Sequence, residues 1–134
     1  MKILVTGAKG FIGKNLVAEL KNRKYMDIFE YDKDTNPNLL DEYCKNANFV
    51  FHLAGVNRPK EQSEFMEGNF GFTSILLDTL KKYHNNCPVM ISSSIQAELD
   101  NPYGKSKKAG EDLLFEYGKE TGAKVLVYRF PNVF

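Results

Sequence analysis

Short apolar, β-branched runs recur along the chain at Ile3 to Val5, Ile28 to Tyr31, Phe49 to Leu53, Val89 to Ser93 and Val125 to Tyr128, and each reads as a buried strand. Between them, apolar residues return at helical spacing. Ile12, Leu16 and Leu20 form one such stripe, Phe72, Ile75, Leu76, Leu80 and Tyr83 a second, and Ala109, Leu113, Leu114 and Tyr117 a third. A less regular piece, Leu39 to Lys45, predicts a shorter helix after the turn signal Asn36-Pro37-Asn38. Strict alternation of strand and helix implies βαβ crossovers and a parallel sheet covered by helices on both faces. The fold class is α/β, a Rossmann-type doubly wound sheet whose ligand site lies at the C-terminal strand edge. No repeat, low-complexity tract or linker interrupts the pattern, so residues 1–134 are expected to form one domain.

Composition narrows the partners. The 18 basic and 17 acidic side chains nearly cancel, and no cluster of Lys or Arg marks a nucleic-acid or membrane surface. The two cysteines, Cys44 and Cys87, are far apart and lack metal-ligand spacing, so neither a disulfide framework nor a metal site is suggested. The N-terminal apolar run is too short for a signal peptide and no stretch could span a bilayer, so a cytoplasmic protein is expected.

The first strand runs into Thr6-Gly7-Ala8-Lys9-Gly10-Phe11-Ile12-Gly13, which opens directly into the first helix. Glycines there allow a tight turn, let backbone approach a pyrophosphate and let helix pack closely on strand, while the N–H groups at the helix start attract an anion. Gly7, Lys9, Gly10, Phe11, Ile12 and Gly13 are therefore candidate dinucleotide contacts. At the end of the second strand, Asp32 could accept from a ribose 2′-OH and favour NAD(H). Lys33 beside it and Lys9 in the loop could instead pair with a 2′-phosphate. Charge count favours NADP(H), with NAD(H) left open.

The fourth strand ends in Ser92-Ser93-Ser94, and Asn101-Pro102-Tyr103-Gly104-Lys105-Ser106-Lys107 follows. Asn101 suits a helix N-cap and Pro102 a first turn, so a helix starting there puts Tyr103 and Lys107 on one face, four residues apart. An ammonium beside a phenol of ordinary pKa about 10 stabilises the phenolate and makes it a usable proton donor and acceptor. Ser94 could then hydrogen-bond a substrate oxygen while hydride passes to or from a nicotinamide. A bare Tyr-x-x-x-Lys is more often plain helix surface, and only the glycine loop upstream gives the pair this meaning. His52 reads as a packed or nucleotide-lining residue rather than a base, and His84 as surface.

Taken together, the Thr6 to Gly13 loop, His52-Leu53-Ala54-Gly55, Ser92 to Ser94, Tyr103 with Lys107, and Arg129-Phe130-Pro131-Asn132-Val133 resemble the extended short-chain dehydrogenase/reductases of the NAD-dependent epimerase/dehydratase type. The resemblance implies cofactor contacts from Leu53, Ala54, Gly55 and Pro131 besides Tyr103 and Lys107, and substrate contacts from Ser94 and Asn132. Asn69 falls where that family keeps a structural and proton-relay asparagine, although a helix cap would explain it as well. His52 to Pro59, Ser92 to Ala97 and Asp100 to Gly104 are similar to the capsular polysaccharide reductase subfamily. That similarity implies NADP(H)-dependent reduction of a 4-keto UDP-deoxyamino sugar on the way to N-acetyl-L-fucosamine, in a protein that is a homo-oligomer when complete and whose fuller members carry a cupin-type epimerase domain. The family continues beyond the position of Phe134 into a substrate-binding half, so the 134-residue chain alone is expected to be inactive and to expose apolar surface. Competing readings are an epimerase or dehydratase of the same family and a non-catalytic dinucleotide-binding module. Dehydration is disfavoured because Ile95-Gln96, not an acidic pair, follows Ser94.

Overall fold

The computed structural model describes the backbone of residues 1–25, 27–53 and 70–130, and their side chains except at 94–96, 102, 103 and 130. Five strands, β1 (Lys2–Thr6), β2 (Asp27–Tyr31), β3 (Phe49–His52), β4 (Val89–Ser94) and β5 (Val125–Phe130), form one sheet in the order β2-β1-β3-β4-β5. All four pairings are parallel, with Ile3 opposite Ile28 and Phe49, Val50 opposite Val89, and Ser94 opposite Phe130. The described helices are α1 (Phe11–Asn22), α2 (Leu39–Asn46), α3 (Phe72–Lys82) and α4 (Pro102–Thr121), and a 3-10 turn, Ile95–Glu98, follows β4. None of them is long and apolar enough to cross a membrane.

The chain leaves β1 toward β2 and then returns past β1 to β3. Because crossovers keep one hand, that reversal sends α1 to one face of the sheet and the later helices to the other. Two cores result. Leu4, Val50 and Val89 of the central strands pack with Leu40 of α2, Leu76 and Leu80 of α3 and Leu114 and Tyr117 of α4. On the opposite face, Ile3 and Val5 meet Val17 and Leu20 of α1, with Ile28 and Phe51 beside them. Successive strand residues alternate between the two cores, and each fully buried Leu or Val contributes roughly 1.5–3 kcal/mol. Cys44 is buried and Cys87 half-buried, both as free thiols, their pKa values pushed up to about 12 and about 11 mainly by burial.

The strands fall where the apolar runs predict them, with one correction. Val125 to Tyr128 reads as a run buried on both faces, yet Leu126 is 39% and Tyr128 55% exposed. β5 is the last strand of the described sheet: Val125 and Val127 face the α3 and α4 core, and their alternate neighbours face the side that α1, over β1 and β2, does not reach. A run of apolar letters carries no information about which face is covered.

Candidate functional site

The sheet reverses direction between β1 and β3, so the crevice at the C-terminal ends of those strands is where an open α/β sheet takes a ligand. The loop after β1 is shaped by two glycines. Gly7 has φ 67°, a left-handed conformation that disfavours any side chain. A Cβ on Gly13 would lie 2.0 Å from the Gly7 carbonyl oxygen and 2.9 Å from Ala8 Cα, so the first turn of α1 rests directly on the loop backbone. Gly10 differs, since a Cβ there would meet Gly7 O only at 3.4 Å, an ordinary contact. Among the described residues nothing demands glycine at position 10. Gly10 caps α1 without a side-chain hydrogen bond, so among the described residues no capping side chain meets the first-turn N–H groups, and Phe11 is 73% exposed beside them.

At the end of β2, Asp32 is drawn onto the loop. Its Oδ2 accepts from the Lys9 N–H at 2.9 Å and its Oδ1 from the Lys33 N–H at 2.7 Å, fixing the carboxylate beside the phosphate loop. The Lys9 ammonium pairs with Asp34, which holds the Lys9 pKa up and the Asp34 carboxyl down. Sequence reasoning weighed Lys9 and Lys33 against Asp32 alone and missed Asp34. A partner 25 residues distant in sequence leaves no periodic signal.

His52 ends β3 fully buried. Thr6 Oγ1 lies 2.7 Å from its Nδ1 and Thr73 Oγ1 2.8 Å from its Nε2, so the ring bridges β1 and α3. Burial, with a smaller push from the Lys107 charge, lowers its pKa to about 3 and keeps it neutral. The ring is a buried, doubly hydrogen-bonded bridge. The Leu53 N–H donates to Thr6 O at 3.2 Å and to Thr6 Oγ1 at 3.1 Å, anchoring the start of the next loop. Ala54, Gly55 and Asn69 lie outside the described residues, as do Pro131 and Asn132.

α4 starts as its sequence predicts. The Asn101 side chain accepts from the Gly104 N–H at 2.7 Å, Pro102 occupies the first turn, and Gly122 at φ 76° ends the helix. Tyr103 therefore stands in the first turn and Lys107 one turn later, while Ser94 is the last residue of β4; the side chains of Ser94 and Tyr103 are outside the described set. Burial pushes the Lys107 ammonium down to about 8, against the opposing pull of Glu111. α4 starts after the C-terminal end of β4, so its early turns, Lys107 among them, stand at that edge of the sheet. A half-buried amine on that turn, still charged at neutral pH, can hold a neighbouring phenol in its more acidic form.

One more turn along α4, Glu111 is 1% exposed. Arg129 of β5 grips it with two bonds, Nε to Oε2 at 2.8 Å and Nη2 to Oε1 at 2.7 Å, and also bonds Glu98. Burial raises the Glu111 pKa, but Arg129 outweighs it and the carboxyl stays below its usual range. Ser93, opposite Arg129 in the sheet, adds to that pull from close by, although its buried Oγ meets no partner at full hydrogen-bond geometry. Sequence reasoning noted Arg129 only as part of a string of letters. Glu111, four residues beyond Lys107, was the available signal.

The "NAD dependent epimerase/dehydratase family" model matches residues 3–134. A curated relative, UDP-2-acetamido-2,6-beta-L-arabino-hexul-4-ose reductase of Pseudomonas aeruginosa, is 42% identical over 134 residues, covering 100% of this chain and 36% of its own length. The solved structure of the capsular polysaccharide assembling protein CapF from Staphylococcus aureus superposes with a TM-score of 0.86 at 47% identity, again over 100% of this chain and 36% of that one. RMD from Pseudomonas aeruginosa, solved with NADPH, gives a TM-score of 0.77 at 26% identity over 98% of this chain and 55% of that one. The chain thus spans about a third of the first two relatives. With the parallel sheet, the phosphate loop and the match over almost its whole length agreeing, the chain belongs to the NAD dependent epimerase/dehydratase family.

Proposed function

We propose that this chain is the cofactor-binding part of an NADP(H)-dependent reductase of a 4-keto UDP-deoxyamino sugar, serving capsular or surface polysaccharide synthesis. The observation that carries the reading is the 42% identity, without loss of coverage on this side, to a UDP-sugar 4-ketose reductase. In the proposed reaction the nicotinamide supplies hydride to the sugar C4. Tyr103 supplies the proton to the carbonyl oxygen, Lys107 stabilises the phenolate left behind, and Ser94 orients the carbonyl. Gly7, Gly10 and Gly13 let backbone approach the pyrophosphate, Asp32 meets the adenosine ribose, and Leu53, Ala54, Gly55 and Pro131 line the cofactor. Asn132 contacts the sugar and Asn69 serves the proton relay.

For the cofactor, Lys9 and Lys33 offer a 2′-phosphate two cations, and a family neighbour was solved with NADPH. Asp34 competes for one of them, because it already holds Lys9. Asp34→Asn should therefore tighten NADPH binding several-fold while leaving NADH nearly unchanged, and the gain should shrink as salt rises. Fluorescence titration of both cofactors checks this, and equal effects on the two would contradict it. The reaction is tested by NADPH consumption with a 4-keto UDP-deoxyamino sugar, in the longest natural polypeptide that contains this chain. Consumption is expected, and none with a fully reduced UDP-sugar; the absence of both would remove the reductase reading.

A further inference from the structure

The proposed working groups stand on three different pieces of backbone, and a single guanidinium joins those pieces. Glu98 closes the 3-10 turn Ile95–Glu98 that begins right after Ser94. Glu111 sits on α4 one turn beyond Lys107 and two beyond Tyr103. Arg129 belongs to β5, next to Phe130 and two residues before Pro131. The Arg129 fork closes on Glu111 at 2.8 Å and 2.7 Å, and its remaining nitrogen bonds Glu98. We propose that Arg129 and Glu111 are positioning residues that set the placement and charge environment of Lys107, and through it of Tyr103, relative to the end of β4. This inference rests on the reductase reading above.

The physical case begins with Glu111. A carboxylate this buried needs a full complement of charge, and a well-packed apolar pair would serve stability at least as well. The ionic fork adds direction instead: two parallel bonds fix the angle of α4 to β5 in a way that packing alone does not. It also adds electrostatic insulation. Glu111 acts on Lys107 from the next turn, His52 at the end of β3 is a neutral ring held by Thr6 and Thr73, and Lys108 is occupied with Asp112 at 2.9 Å. With Arg129 in place the Glu111 charge is largely met from β5. Without Arg129, Glu111 would draw on the Lys107 ammonium and weaken its hold on the Tyr103 phenolate.

The test uses Arg129→Met, Arg129→Lys and Glu111→Gln in the longest natural polypeptide containing this chain, with two readouts. The first is titration of the Lys107 side chain by NMR with labelled lysine, which needs no substrate. It should move upward by about one pH unit in Arg129→Met, stay closer to the parent in Arg129→Lys, and move downward in Glu111→Gln, because the attractive carboxylate is lost. The second is turnover: Arg129→Met should lower kcat about tenfold or more with the KM for NADPH within about threefold, and the alkaline limb of the rate profile should shift upward. A residue that only holds the fold together would lower the melting temperature and leave both the Lys107 titration and the pH limb in place, and that result overturns the proposal. If Arg129→Met does not fold, the downward shift expected of Glu111→Gln, against a near-parental titration in Arg129→Lys, decides. Lys107 shifts of the stated signs in a protein that reduces no 4-keto UDP-sugar would sustain the positioning role and remove the reductase reading; turnover with unmoved titration would do the reverse.

Discussion

At Lys107, burial holds the ammonium at about 8, so the group is charged at neutral pH at the expense of the fold. Below about 8 both folded and unfolded chains carry the proton and the desolvation cost is fully present. Between about 8 and 10.5 the unfolded chain binds more protons, so stability should rise with pH across that window. Lys107→Met should accordingly stabilise the chain at pH 7, on the order of 1–3 kcal/mol, and flatten that rise; urea unfolding at several pH values measures it. Loss of stability on this substitution would mean that the amine is paid for by contacts stronger than its burial. His52 works in the acid range. With its folded pKa near 3 against 6.5 unfolded, stability should fall as pH drops below about 6.5 and stop falling near 3. The slope should reach at most about 1.4 kcal/mol per pH unit, and His52→Gln, which keeps hydrogen-bonding capacity without a titrating ring, should remove it. An unchanged acid slope in that variant would assign the effect to other groups.

The elements themselves were largely legible. Continuous apolar, β-branched runs marked β1 to β5 because in a doubly wound sheet most strands are buried on both faces, and helical apolar spacing marked α1, α3 and α4, with α2 read from a less regular piece after a turn signal. The start of α4 was written locally too, since Asn101 bonds the N–H of Gly104, a partner three residues away. Asn101→Ala should cost about 1 kcal/mol, and Gly122→Ala about 1 kcal/mol from strain at φ 76°; thermal unfolding of the two single variants checks both. What was not legible were pairings between distant positions. Lys9 with Asp34, and Arg129 with Glu111 and Glu98, are separated by 25, 18 and 31 residues and follow no period. The 3-10 turn after Ser94 is equally silent in the apolar pattern, because it is a single turn whose position is set by the ends of β4 and α4.

For the molecule as a whole, one topological event organises the site: the reversal at β1 brings the phosphate loop, the β2 carboxylate, His52 and the Lys107 turn of α4 to one edge of the sheet. Under the reaction proposed above, hydride would pass at this edge from a nicotinamide to the C4 of a UDP-sugar, with Tyr103 supplying the proton. The most direct measurement follows deuterium from nicotinamide-labelled NADPH into product, in the longest natural polypeptide containing this chain, with and without Tyr103→Phe. Deuterium is expected on the sugar C4, one label per NADP formed, at a rate reduced about 100-fold or more in Tyr103→Phe. Product bearing no deuterium while the cofactor is returned unchanged would mean an epimerase, and full activity in Tyr103→Phe would remove the tyrosine from the chemistry.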